Sequence, residues 1–263
     1  MNGALKSFPA RVRRMLEVLR VLASSDLEIR YGRGSLRALK WLLDPIAALG
    51  VYLVLVALVL DQGGAAVGLS LACAIVPFQL LMTSIINATR AIELRGSIIV
   101  NMGFPRILIP VSSVATESVA SLGSLALLPV MMAIYGIGPT PAALWLPVVI
   151  ALTVMLAIAL AYPAALIGIW YPDLQPFVVS IVRTLFFLAP GLIALDQITG
   201  TIRDLLPINP LSGLFEAFRD ALLYGQAPAA WELLVPLAAG AIVLAIFLPM
   251  YRREQVHLAK LVG

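Results

Sequence analysis

Hydrophobic positions in this chain do not alternate with polar ones; over most of its length they run on uninterrupted. No charged residue occurs from Gln62 to Thr89, and none from Ser118 to Pro172. About 20 apolar residues cross a bilayer, so the second run holds two spans, divided at "GIGPTP" (136–141), where glycine and proline punctuate a turn. The same reading along the chain places six spans near 42–60, 66–88, 107–135, 142–168, 175–195 and 233–251. The third and fourth are long enough to tilt or to protrude into the headgroup layer. Helices of a water-soluble protein would show a wet face, and these do not. Composition agrees: 61% of residues are hydrophobic and 12% charged, with a mean hydropathy of +1.00. The chain is expected to be an all-α polytopic membrane protein, a single transmembrane domain over residues 1–263.

Two segments depart from this pattern by being amphipathic. "PARVRRMLEVLRVLASSD" (9–26) aligns Val12, Met15, Leu16, Leu19 and Leu22 along one stripe, with Arg11, Arg13, Arg14 and Arg20 around it. That suits a helix lying on a membrane surface, its stripe among acyl chains and its arginines near lipid phosphates. Residues 9–40 therefore form an interface-helix region, in which Arg13, Arg14, Arg20 and Arg30 are the candidate lipid-facing residues. No apolar core of a cleavable signal precedes Asp26 and Glu28. The second segment, "NPLSGLFEAFRDALLYG" (209–225), places Leu211, Leu214, Phe215, Phe218 and Leu222 on one side and Glu216, Arg219 and Asp220 on the other. Asn209 and Pro210 are a helix start and Gly225 a stop. This helix is too short to cross a bilayer.

Charge gives the orientation. Lysines and arginines crowd residues 1–41, the 90–106 loop and the tail after 251, whereas the turns at 61–65 and 136–141 have none. The positive-inside rule then puts both termini and the 90–106 loop in the cytoplasm, and residues 196–230 outside.

Chemistry is sparse. There is no G-x-x-x-x-G-K-[ST] phosphate loop, and the one histidine, His257, lies in the tail. No paired carboxylates sit at mid-span, so no catalytic residue, metal site or nucleic-acid partner is expected. A lone Cys73 cannot form a disulfide within the chain. Glu117 in the third span and Arg183 in the fifth are costly at that depth unless they face protein or water. They are expected either to pair with one another or line a polar path, or else to snorkel to the interface. The small residues of "SSVATESVASLGS" (112–124) permit close helix approach or a polar lining.

Four stretches, read in order, resemble the transmembrane subunit of ABC-2 type exporters of polysaccharides, the family of O-antigen, teichoic acid and capsule exporters. "SDLEIRYGRGSLRALKWLLDP" (25–45) resembles that family's entrance segment through Asp26, Arg30, Tyr31, Leu36, Trp41 and Pro45. "NMGFPRILIPVSSV" (101–114) matches its F-P-R element, and 209–225 its N-P…F-R helix. "WYPDLQPFVVSIVRTLFFLAPGL" (170–192) resembles its inner turn and fifth span, departing at Pro172 and at Ile169-Trp170.

The resemblance implies an ABC-2 (type V) exporter fold: six transmembrane helices, an amphipathic interface helix and short outer re-entrant gate helices. The sub-regions would be 42–195 for spans 1–5, 196–230 for the gate helices, and 231–263 for the last span and tail. It implies a homodimer in the bacterial inner membrane, driven by two copies of a separate ATPase that bind the ATP and magnesium, with no cofactor in this chain. The cargo would be an undecaprenyl-diphosphate-linked polysaccharide such as O-antigen. Arg90, Ile92, Glu93, Arg95, Ile98 and Phe104 of the 90–106 loop, with Asp173 of the next inner turn, would meet the ATPase. Leu211, Phe215, Glu216, Phe218 and Arg219 would belong to the outer gate, the charges facing water or each other. Sugar rings stack on aromatic faces, which makes Trp41, Tyr52, Tyr162, Phe186 and Phe187, with Glu117 and Arg183, the channel candidates. Two other readings stay open: an ABC-2 permease for another cargo (teichoic acid, capsule, a lipid or a drug), and a stand-alone secondary transporter or intramembrane enzyme. No internal repeat favours the last.

Overall fold

The computed structural model describes residues 10–32, 66–94 and 105–254, together with isolated positions between 43 and 54. The described residues are helical and contain no strand. The expected first span, 42–60, falls largely outside them, so the count of six is carried by the sequence.

Four helices are long and apolar enough to cross a membrane. Helix α1 (Ala10–Tyr31) precedes them; α2 (Val67–Leu94), α3 (Leu108–Ile134), α4 (Leu146–Trp170) and α8 (Ala230–Glu254) are the four. Their bounds lie within a few residues of the expected spans, because charge and glycine end the apolar runs where the helices end. A 3₁₀ turn, Pro141–Trp145, leads into α4. Between α4 and α8 the chain makes only short helices: α5 (Gln175–Phe187), α6 (Thr201–Leu205) and α7 (Pro210–Arg219), the last continued by a π-helical turn, Asp220–Tyr224.

Helix α2 is the centre of the bundle. It packs against α3, α4, α5 and α7, and its Leu71, Ala72, Cys73, Ala74, Leu81 and Ala88 are buried. Small residues let the neighbours come close, which is how helices associate where lipid gives no hydrophobic drive. The tightest crossing is between α2 and α4 at Gly168, where a Cβ would stand 1.8 Å from the Thr89 carbonyl oxygen. No side chain larger than hydrogen fits. At the other end of α2, the Gly68 N–H donates to the Tyr135 hydroxyl (3.1 Å), fastening the start of α2 to the end of α3.

Helix α1 is joined to this bundle by its C-terminal half. Leu22, Ala23 and Leu27 are buried, and the Thr116 hydroxyl of α3 donates to Asp26 at 3.1 Å. Its N-terminal half leaves Val12 and Leu16 exposed beside exposed Arg13, Arg14 and Arg20, the surface helix that the spacing predicts. Arg13 also meets Glu17 one turn on (3.5 Å). The Arg30 side chain lies outside the described residues.

The fifth span differs from expectation. A helix over 175–195 is predicted, yet α5 ends at Phe187 and the chain then turns through Ala189, Pro190 and Gly191. Proline cannot continue the helix, and the freed carbonyls of Pro190 and Gly191 are taken up by another helix.

Candidate functional site: a buried short helix

That other helix is α7. Its start follows from local chemistry: the Asn209 side chain accepts from the Leu211 N–H (3.0 Å), and Pro210 occupies the first helical position, where no N–H is needed. The Asn209 amide also donates to the Leu188 carbonyl at the end of α5 (3.2 Å). At the other end Gly225 adopts φ 68°, a left-handed conformation that only glycine reaches without strain.

From Leu211 to Leu222 every residue is buried, on all faces. The apolar side meets α2 and α5: Phe215 lies 6.4 Å from Phe78 and 6.0 Å from Phe186, ring centre to ring centre. Gly213 presses on α8, where a Cβ would stand 2.9 Å from the Glu232 carbonyl oxygen. Of the two surroundings open to the charged side, water or each other, the structure has the second.

Arg219 is 0% exposed, and its guanidinium joins three parts of the chain. Nη1 donates to Glu216 Oε1 (2.6 Å) and to the Pro190 carbonyl (2.8 Å). Nη2 donates to the Gly191 carbonyl (3.3 Å), and Nε reaches the Ser70 hydroxyl (3.0 Å) at the start of α2. Glu216 Oε1 accepts in addition from the Leu195 N–H (3.0 Å). A buried charge persists only when paired and fully hydrogen-bonded, and this one satisfies the backbone that the broken α5 leaves open. Irregular backbone at membrane depth is tolerated only where protein buries it in this way.

A second polar group sits at the C-terminal end of α7. The carboxyls of Asp220 and Glu232 hydrogen-bond one another, the Gln226 amide donates to Asp220 (2.8 Å), and the Ala229 N–H donates to Glu232 (3.2 Å). Burial raises the Asp220 carboxyl above the usual carboxylate range, outweighing the Gln226 hydrogen bond that lowers it. Burial likewise pushes the nearby Tyr224 hydroxyl up to about 12, with the Asp196 carboxylate, its hydrogen-bond acceptor, acting in the same direction.

At the opposite end of the bundle, Arg90 and Glu93 are exposed on the last turn of α2, and Asp173 is exposed in the turn between α4 and α5. The Gly168–Thr89 contact brings these two ends together, although they are remote in sequence. The Ile92 side chain, Arg95, Ile98 and Phe104 lie outside the described residues.

The channel candidates separate. Trp41 and Tyr52 lie outside the described residues. Phe186 is 1% exposed and packed on Phe78 (4.9 Å), so it belongs to the core, whereas Phe187 is 58% exposed. Tyr162 is buried as well. It stacks edge-on against Tyr251 (5.4 Å) and donates to the Ile107 carbonyl (3.2 Å), while Tyr251 donates to Arg106 (3.3 Å). The two tyrosines latch the start of α3 to α4 and α8 and present no face to a passing ring. The expected Glu117–Arg183 pair does not form: Glu117 is buried and accepts from Asn87 (2.6 Å), and Arg183 is exposed on α5. Ser70, Asn87, Gly168, Tyr251 and Glu232 were not singled out by sequence reasoning, since each acquires its role only from a neighbour remote in the chain.

Comparison with known proteins bears on this arrangement directly. The chain is 30% identical over 226 residues to the O-antigen export system permease protein RfbA of Myxococcus xanthus, covering 85% of this chain and 86% of that protein. It belongs to the O-antigen export permease family. A permease of the same name from Klebsiella pneumoniae is 24% identical over 212 residues, covering 80% of this chain and 82% of that protein. No family model matches the chain. For a member of the O-antigen export permeases, the aligned length takes in most of the long helices and leaves no room for a further domain within the match. The resemblance read from the four motifs is thus upheld by whole-chain similarity.

Proposed function

We propose that this chain is the membrane subunit of an ABC exporter that moves a lipid-linked polysaccharide, O-antigen-like, across the bacterial inner membrane. The observation that carries the proposal is the 30% identity over 85% of the chain to a permease named for O-antigen export. The structure supports it in kind: four apolar spanning helices, a surface helix, and a short helix folded back into the bundle beside the end of a broken span.

A permease without a phosphate loop takes its energy from a partner. Arg90, Glu93 and the rest of the 90–106 loop, with Asp173, form the docking surface for the cytoplasmic ATPase, two copies of which serve a permease homodimer. Both termini are cytoplasmic, in keeping with the arginines around α1 and at the end of α8. Helix α7 and the 195–208 segment form the outer gate, and the cargo is held through an undecaprenyl-diphosphate carrier.

Co-expression with a candidate phosphate-loop ATPase, followed by purification and measurement of ATP hydrolysis with and without lipid-linked glycan, tests this reading. Stable co-purification with glycan-stimulated hydrolysis is expected, the stimulation being lost on changing Glu93 and Arg95 to alanine. A permease that transports alone, with no ATPase bound, overturns it in favour of a secondary transporter. Stimulation by a lipid or drug but not by glycan moves the cargo to another class within the same fold.

A further inference from the structure

The carboxyl pair of Asp220 and Glu232 has no part in the reading above. Asp220 opens the π-helical turn that continues α7, and Glu232 lies in the first turn of α8; both are buried. Gly213, two turns before Asp220 and so on the same side of α7, is the residue pressed against the Glu232 backbone. The two helices therefore meet along one seam, closed by a glycine contact at one end and by two carboxyls at the other.

Two carboxyl groups can hydrogen-bond to each other only if one of them carries a proton, because ionised carboxylates are acceptors alone. The surroundings supply no cation to take the proton's place. On α7, Glu216 is paired to Arg219, whose donors are engaged by Glu216, Pro190, Gly191 and Ser70. The π turn adds Tyr224, bonded to Asp196 of the preceding loop, and the loop to α8 adds the neutral Gln226. Helix α2 contributes the buried Cys73 thiol, and the Pro141–Trp145 turn contributes no ionisable side chain. Among the described residues no lysine or arginine forms an ion pair with either carboxyl.

We infer that Asp220 and Glu232 are a proton-binding site that fastens the short buried helix to the last span. With one proton between them the pair is a single hydrogen-bonded bridge carrying one charge. When that proton leaves, two buried like charges face each other at hydrogen-bond range, and the seam between α7 and α8 loosens. The sign follows from linkage. The folded pair binds a proton that the separated carboxyls release in the ordinary range near pH 4. Its stabilisation is therefore full at low pH and is lost as pH rises through the folded titration. The pH on the side where α7 lies sets how firmly this helix is held. The inference depends neither on the cargo nor on the ATPase.

The test is amide hydrogen exchange of the full-length permease in lipid nanodiscs, corrected for intrinsic rates, from about pH 5, above the ordinary carboxyl range, to about pH 9, where strongly shifted buried carboxyls titrate. Protection across residues 211–232, relative to α4, is expected to fall by about tenfold or more over this range, one shifted pKa unit being a factor of ten. In Glu232→Gln and Asp220→Asn, which keep the shape but cannot titrate, the profile is expected to be flat. Infrared spectroscopy supplies an independent readout: the natural protein has a protonated-carboxyl C=O band at neutral pH that both variants lose. A flat profile in the natural protein overturns the inference, whether or not the band is present. So does a pH slope that persists in both variants. If one variant does not fold, the other and the infrared band decide.

Discussion

Helices α7 and α8 are neighbours in sequence and in space, and their environments are opposite. Helix α8 is one of the most apolar stretches of the chain, yet Leu234, Leu237, Ile242 and Ile246 stand exposed along it. Helix α7 carries Glu216 and Arg219 and continues into Asp220, yet it is buried on every side. In water the assignment would be reversed. In a bilayer the apolar helix loses nothing by facing lipid, because acyl chains are as apolar as leucine, while the charged helix must be wrapped in protein. The comparison teaches that in this chain burial follows the need of polar groups for partners and not the apolarity of the side chains.

The most damaging way to break the contrast is to strand a charge inside α7. Arg219→Met leaves Glu216 and the Pro190 and Gly191 carbonyls unpartnered, and is expected to cost about 3–5 kcal/mol, the usual penalty for breaking a buried pair. Thermal unfolding of the detergent-solubilised protein measures it. Changing Glu216 to Leu in the same chain is expected to restore part of the loss, since the uncompensated charge goes. A double variant no better than the single would mean that the carbonyl contacts, and not the ion pair, carry the effect.

Removal of apolar volume sharpens the same contrast. Leu214→Ala in α7 opens a cavity among buried side chains and is expected to cost about 2–5 kcal/mol, whereas Leu237→Ala on α8 gives space that lipid fills and is expected to cost under about 0.5 kcal/mol. Phe186→Ala and Phe187→Ala form a second such pair, adjacent in sequence, with only the first damaging. Equal effects within either pair, by the same unfolding measurement, would contradict the assignment of inner and lipid faces.

Crowding at the helix crossings comes next. Gly168→Ala pushes a methyl into the Thr89 carbonyl, backbone that cannot swing aside, and is expected to cost about 1–3 kcal/mol, the range for overpacking. Gly138→Ala, where nothing lies within 4 Å, serves as the neutral control. Because Gly168 also joins the ends of α2 and α4 next to the proposed ATPase surface, its variant is expected to lower stimulated ATP hydrolysis beyond the loss of folded protein. The smallest effect is assigned to Tyr251→Phe, which removes one hydrogen bond to Arg106 and keeps the ring stack on Tyr162, at about 1 kcal/mol.

Much of this architecture was legible in the order of residues. Uncharged runs gave α2, α3, α4 and α8, since a hydrocarbon slab about 30 Å thick demands a certain length of apolar helix whatever it packs against. Asn209, Pro210 and Gly225 delimit α7 and its continuation because caps are local chemistry, settled within a few residues. The stripe in α1 and the arginines beside it survive into the structure for the same reason.

What the tertiary structure decided are the matters that depend on distant neighbours. The Ala189–Pro190–Gly191 segment can end a helix or kink it; α5 stops because Arg219 and Asn209 are positioned to take the carbonyls it frees. Tyr162 and Phe186 are aromatic residues in spans, a pattern equally compatible with a channel wall or a core, and only the rings of Tyr251, Phe78 and Phe215 settle that they are core. Glu117 finds Asn87 rather than Arg183 because α2, not α5, lies against it. Periodicity places a residue on a face of its helix. Which partner that face meets is set by helix packing, a property of the whole bundle.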